Sequence, residues 1–326
     1  MPSPWLSLLV PAYNAGTHVH ACMASVLAQG IEGIEVVVLD DASTDATGDI
    51  CARLQAEHPG VVRVHRAPRN GGIAAARNRL LAEARGDYVW FLDADDVLLP
   101  GALAGLRRTL EASDPDLVLC DYRTLREASG LKHRLRGERH RRTFAGRARA
   151  VSTDRCALVA GVLRNGELHV WSKIARRSLW EGGAFPQGRI FEDVAVMARL
   201  LSAARRHVYI PEVWVGYRQW PGSTLRTPSP ARARDLLAAL SSLRADFAAM
   251  AGLDRRAWFA IDHFSLRSVV SLAAKLPAQD AGLQAEFRRV VRDLFARRGD
   301  AVIQAYLRRG WWMRALRARR VLAACA

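Results

Sequence analysis

Tyr88-Val89-Trp90-Phe91-Leu92-Asp93-Ala94-Asp95-Asp96 is the stretch that decides how this chain is read. Five apolar residues in a row read as a buried strand. The acids that follow cannot be buried unpaired without a large cost, so the strand must end at an edge that meets water or a cation. Alternate-residue spacing brings Asp93 and Asp95 close enough to share one hard divalent ion and a diphosphate. An acidic strand end taken alone is equally a solvated turn, so its neighbours carry the decision.

Outward from this run, residues 6–10, 35–39, 61–65 and 116–120 repeat the short apolar pattern of strands. Residues 19–28, 73–84 and 100–110 have helical patterns, as does the stretch from 46 to 57, where Ser43 or Thr44 is expected to cap the helix. This alternation predicts an α/β fold with a mostly parallel, doubly wound sheet. Ligands of such sheets bind beyond the carboxyl ends of the strands. Pro11-Ala12-Tyr13-Asn14 follows the first strand and Asp40-Asp41 the second. Asn70-Gly71-Gly72 and Arg77-Asn78 follow the third, and Asp93 and Asp95 the fourth. A flat ring (Tyr13) can stack on a base, and a carboxylate (Asp41) can accept from a base N–H. An arginine at a helix start (Arg77) can meet phosphate, and two carboxylates can hold a metal. Singly, Tyr13 reads as packing and Asp40-Asp41 or Gly71-Gly72 as turns. Jointly, on one sheet edge, they make a nucleotide-diphosphate pocket.

Charge divides the chain. Residues 1–122 carry 9 Lys and Arg against 16 Asp and Glu, a net of −7; residues 123–326 carry 39 against 16, a net of +23. The acidic part suits a cation site, and the basic part suits an anionic partner or a solvated arginine-rich surface. Eight basic residues between 132 and 149 face a lone Glu138 and read as a basic loop. From about residue 231 the pattern is helical. Leu236, Leu240, Leu243, Phe247 and Met250 recur at three- and four-residue spacing, and the pattern continues over 258–276 and 286–297. The chain has 326 residues and 50% apolar content, ordinary for a globular protein with a real core. No run approaches the roughly 18 apolar residues of a membrane span, and no secretory signal is seen. Five scattered cysteines without C-x-x-C pairing suit reduced thiols and give no metal framework.

These runs resemble the inverting glycosyltransferases of family 2, which have the GT-A fold. The resemblance rests on Leu8-Leu9-Val10-Pro11-Ala12-Tyr13-Asn14, Val38-Leu39-Asp40-Asp41-Ala42-Ser43-Thr44-Asp45, Asn70-Gly71-Gly72 through Arg77-Asn78, and Tyr88 through Asp96. Trp171-Ser172-Lys173 resembles a W-x-K segment of the family, and Phe191-Glu192-Asp193-Val194 its E-D motif. By itself Glu192-Asp193 reads as the acidic first turn of a helix. The resemblance implies a GT-A nucleotide-sugar-binding catalytic domain over residues 1–225 and a basic α-helical extension over 226–326. It implies a donor-binding set of Pro11, Tyr13, Asp41, Gly72, Arg77 and Asp93. Asp95 would ligate Mn²⁺ or Mg²⁺, and Asp193 would be the catalytic base. The implied reaction moves a sugar, with inversion and with metal, from a nucleotide-diphosphate sugar, expected to be a UDP-sugar. Its acceptor would be a glycan or a lipid-linked saccharide in cell-surface polysaccharide or lipopolysaccharide synthesis, which makes the enzyme of hexosyltransferase type. Two departures stand out. Ala42 occupies a usual glycine position, where it stiffens the turn, and Trp220 occupies a place often basic.

Two other classes share some of these features. A sugar nucleotidyltransferase needs a glycine-rich phosphate loop with a basic residue near the first strand, and residues 11–20 hold neither Lys nor Arg. A nucleic-acid binder has only charge in its favour, with no reading motif, so no nucleic acid is expected. Trp311-Trp312-Met313-Arg314 with Arg317, Arg319 and Arg320 has the composition of an interfacial membrane segment, although the arginines are not confined to one face. A polyprenyl-diphosphate-linked acceptor at an anionic membrane surface would account for both basic segments. The expected location is cytoplasmic, peripheral on the inner face of the plasma membrane.

Overall fold

The computed structural model of the chain describes residues 3–126, 140–181, 185–219, 229–277 and 279–325. The strands are β1 (Leu6–Ala12), β2 (Ile34–Asp40), β3 (Val62–Arg66), β4 (Tyr88–Phe91), β5 (Val97–Leu98), β6 (Leu117–Leu125), β7 (Lys173–Arg176) and β8 (His207–Arg218). They form one sheet in the order β3-β2-β1-β4-β7-β6-β8-β5. The β3-β2-β1-β4 portion is parallel, and β7 pairs antiparallel with both β4 and β6.

Side-chain alternation explains the continuous apolar runs. Leu6, Leu8, Val10, Val36, Val38, Trp90 and Leu92 pack on one face of the sheet, while Leu9, Val37, Leu39, Val89 and Phe91 pack on the other. Both faces are covered by helices, so neither tolerates a polar alternation. The helices between strands are α1 (Val19–Leu27), α2 (Thr47–Glu57), α3 (Gly72–Glu83), α4 (Ala102–Ser113), α5 (Arg155–Asn165) and α6 (Glu192–Ala203).

The strand and helix pattern of the first 120 residues agrees with expectation, with ends shifted by a few residues. The cap of α2 does not. Its first residue is Thr47, and Asp45 Oδ1 accepts from Thr47 N at 3.0 Å and from Thr47 Oγ1 at 2.5 Å. Ser43 and Thr44 are instead engaged with Asn14: Ser43 Oγ accepts from Asn14 N, and Thr44 N donates to Asn14 Oδ1. Those bonds tie the β1 and β2 exits together, which is why neither residue is left to cap the helix. Ala42 takes φ +60°, the left-handed region where glycine is unstrained.

After residue 229 come α7 (Pro230–Ala249), α8 (Arg255–Ala273), α9 (Ala281–Phe295), α10 (Gly299–Arg308) and α11 (Trp312–Ala323). Their apolar stripes do not form a separate core. Leu237, Leu240, Leu243, Phe247, Ile261 and Val291 belong to the same buried cluster as Leu9, Phe91, Leu158 and Met197. The expected boundary at 225/226 falls outside the described residues, and so does Trp220. Of the expected basic loop, residues 132–139 are likewise outside them. None of the described helices is long and apolar enough to cross a membrane.

Candidate active site

A cleft of about 1300 Å³ opens beyond the carboxyl ends of β1, β2 and β4. The residues expected to bind the donor, the metal or the acceptor proton all line it: Pro11, Tyr13, Asp41, Gly72, Arg77, Asp93, Asp95 and Asp193. The register explains the convergence. Ala12 pairs with Asp40 and Leu9 with Phe91, so the residues after β1, β2 and β4 emerge side by side.

Tyr13 is 51% exposed, unusual for a large ring, and lines the cleft. Asp41 is buried, and its carboxylate accepts from Gly71 N at 3.0 Å and Gly72 N at 2.8 Å. It therefore sits on the N-terminal end of α3, where a negative charge is favoured. Gly72 takes φ +80° with open space around a would-be Cβ, so the backbone angle, not crowding, demands glycine.

Arg77 is the sixth residue of α3 rather than at its start, and its side chain is only 3% exposed. Its guanidinium is held by three carboxylates: Nη1 lies 2.6 Å from Glu192 Oε1 and 2.5 Å from Asp193 Oδ1, and Nη2 lies 3.0 Å from Asp93 Oδ1. Burial works to lower the Arg77 pKa, but Asp193, Asp93 and Glu192 outweigh it and raise it. The expectation of an arginine reaching out to phosphate from a helix start gives way to one buried among acids.

Asp96 lies beneath the D-x-D, fully buried, with Oδ1 accepting from Arg218 N at 2.8 Å. Burial first, then the charges of Asp93 and Asp95, holds its carboxyl well above the usual carboxylate range. Asp93 and Asp95 both line the cleft above it. No group of three or more candidate metal ligands occurs among the described residues. Two hard carboxylates at one strand end are nonetheless the donor set for Mn²⁺ or Mg²⁺, which bind through one or two carboxylates plus substrate phosphates. The residues fit such an ion.

Glu192 and Asp193 open α6, preceded by Phe191 at φ +67°. Burial, and next the Asp193 charge, pushes Glu192 up to about 7 against the pull of Arg77. Asp193 Oδ2 also accepts from Val170 N at 3.3 Å.

Several groups at or beside the cleft have no role assigned from the sequence, beyond the W-x-K resemblance that includes Trp171 and Lys173. His169 stacks on Trp171 at 4.7 Å and 8°, and Trp171 stacks on Tyr217 at 5.7 Å and 18°. Burial pushes His169 down to about 4, so it is neutral at pH 7. Lys173 is fully buried, donating to the carbonyls of Glu167 and His169 and to Ser172 Oγ. Burial lowers its pKa to about 8. Lys173 thereby pins the 167–169 turn that presents His169. Arg267 and Lys275, on and just beyond α8, line the far wall.

The family model described as Glycosyl transferase family 2 matches residues 7–162, which include β1 through β4 and the D-x-D. Over that span, just under half of the chain, the sequence is similar to the family 2 glycosyl transferases. It is 28% identical over 266 residues to glycosyltransferase GlyG of Streptococcus pneumoniae, spanning 77% of this chain and 83% of that protein. Its fold matches S. aureus TarS 1–349, solved with UDP-GlcNAc, with a TM-score of 0.72 at 18% identity over 98% of this chain and 90% of that one. A mannosyltransferase from Pyrobaculum calidifontis, solved with GDP-Man and Mn²⁺, matches with a TM-score of 0.54 at 19% identity over 100% of this chain and 86% of that one. The chain therefore shares the GT-A α/β fold of these glycosyltransferases, and its helical extension lies within the matched span of the TarS neighbour.

Proposed function

We propose that this glycosyltransferase moves a sugar from a UDP-sugar to a glycan or lipid-linked saccharide, with inversion and with a divalent cation, in cell-surface polysaccharide synthesis. The observation that carries the reading is the convergence of Tyr13, Asp41, Asp93, Asp95 and Asp193 on one cleft. Tyr13 and Asp41 take the base. Asp93 and Asp95 hold the cation, and the ion, when bound, neutralises charge on the leaving diphosphate. Inversion needs a carboxylate on the face opposite the leaving group to accept the acceptor hydroxyl's proton. Asp193 serves, placed across Arg77 from Asp93. Arg77 acts as a positioning residue, fixing the distance between metal-side and base-side carboxylates. The UDP-GlcNAc and the GDP-Man with Mn²⁺ held by two proteins of this fold support the donor class and the ion. The exposed apolar and basic face of α11 supports a peripheral place on the cytoplasmic side of the membrane.

Calorimetry with a UDP-sugar tests the reading. Donor binding should require Mn²⁺ and vanish with chelator, and Asp95→Asn should weaken it while the melting temperature holds. Equal affinity with and without the ion would remove the metal from the account.

A further inference from the structure

The cleft changes sign across its width. One side of its lining carries Asp41, Asp93, Asp95, Glu192 and Asp193 around the buried Arg77, while the residues contributed by α7, α8 and the segment after α8 include Arg232, Arg267 and Lys275 and no acid. Arg267 Nη2 donates to Asn165 O at 3.3 Å, and Asn165 Nδ2 donates to Arg142 O at 2.9 Å. Asn165 thus links Arg267, on the cleft, to the rim of a second cavity of about 460 Å³ lined by His140, Arg141, Arg142 and Arg164, with Glu167 the only acid among its described lining residues. Among the described residues, Arg141, Arg164 and Arg267 make no ion pair with any carboxylate. Arg141 and Arg164 are exposed. Several guanidiniums gathered at one concavity repel one another, and an oxyanion with two or three acceptor oxygens relieves that repulsion while matching their planar donors.

We propose that this second cavity is an acceptor subsite for a phosphate-bearing saccharide. The phosphate sits on Arg141 and Arg164, and the attached sugar runs past Asn165 and Arg267 toward Asp193. The inference rests on the glycosyltransferase reading and names the chemical class of its acceptor. Two sources share that chemistry: the phosphodiester of a soluble polyol-phosphate chain and the diphosphate of a lipid-linked saccharide. Neutral glycans have no use for a tract of unpaired arginines.

The test uses the full chain saturated with UDP and Mn²⁺, so that phosphate probes do not occupy the donor site. Three probes are titrated: a glycerol-phosphate oligomer, farnesyl diphosphate and neutral maltotetraose. At least one phosphate probe should bind roughly ten-fold or more tightly than maltotetraose, and which one binds identifies the source. The Arg141→Gln/Arg164→Gln double variant should lose that preference, with melting temperature and UDP titration as controls for the fold. Should the double variant fail to fold, Arg141→Gln alone, at an exposed side chain, should still weaken phosphate binding several-fold. A wild-type protein with no preference for phosphate over maltotetraose overturns the proposal, as does a preference that survives the substitutions. Hydrolysis of a nucleotide sugar by the same preparation separates the two readings: hydrolysis without phosphate preference sinks only the subsite, whereas no hydrolysis of any nucleotide sugar sinks the transferase reading beneath it.

Discussion

Arg77 Nη1 lies 2.5 Å from Asp193 Oδ1, joining an α3 residue to the first turn of α6 more than a hundred positions later. The same guanidinium reaches Asp93 through Nη2 at 3.0 Å. One buried cation therefore sets the spacing between the two acidic motifs that the proposed reaction uses. Removing one partner of a buried ion pair costs about 3–5 kcal/mol, because the other charges are left uncompensated. Arg77→Met should lower the melting temperature accordingly and abolish transfer. Arg77→Lys should recover stability only in part, since an ammonium cannot fork between opposed carboxylates. An unchanged melting temperature in Arg77→Met would show that the three acids hold their places without it.

Asp193→Asn should leave donor binding nearly intact and reduce turnover by about two to four orders of magnitude, the usual contribution of a positioned base. The separation of the two effects is the point, because Asp193 is proposed to act on the acceptor, across Arg77 from Asp93. Normal turnover in this variant would move the base to another residue, and Glu192, which shares Arg77, is the next candidate.

Much of this site was legible because parallel strands deliver their ends to one edge. An apolar run followed by Tyr13, Asp41 or Asp93 can be read from spacing alone, and all three line the cleft. The unread parts come from packing. β7 begins with Lys173, which looks unsuited to a buried strand; three oxygen acceptors around its Nζ make the burial possible, and nothing in the sequence announces them. Arg77 was legible as a site residue but not in its surroundings, since Glu192 and Asp193 reach it only through the fold. His169 and Arg267 arrive on a turn and on a helix whose local patterns are unremarked. Ala42 shows the reverse: a departure visible in the sequence acquires its meaning from φ +60°, a backbone angle that explains the usual glycine.

Glu192 gives a pH dependence with a definite sign. Burial and the Asp193 charge raise its folded pKa to about 7, above the ordinary 4.5 of an unfolded glutamate. Between those values the folded chain binds the extra proton, so the contribution is fully present below about pH 4.5 and is lost as pH rises through about 7. Wild type should therefore lose stability relative to Glu192→Gln across that window and not above it. Urea unfolding of both proteins at several pH values reads the difference directly. A difference that stays flat from pH 4.5 to 8 would show Glu192 ionised throughout in the folded protein.

The last prediction concerns α11. Trp312, Met313 and Leu316 are 66%, 62% and 44% exposed, and they lie on the outward side of the helix, opposite buried Ala315 and Ala318. Arg317, Arg319 and Arg320 are exposed around them. Large apolar side chains amid arginines suit the boundary between lipid headgroups and acyl chains, and each basic residue near an anionic surface contributes about 1 kcal/mol. Removing the helix is a poor test, because Ala315, Ala318 and Cys325 are part of the core and Tyr306 of the preceding helix packs with them. Surface substitutions are cleaner. Trp312→Ser/Leu316→Ser should reduce co-sedimentation with anionic vesicles while leaving the melting temperature and donor hydrolysis unchanged, since neither side chain is buried or lines the cleft. Wild-type binding should weaken as salt rises and should be slight with neutral lipid. A wild-type protein that stays in the supernatant with both lipids would detach α11 from the membrane, leaving a soluble acceptor as the substrate to seek.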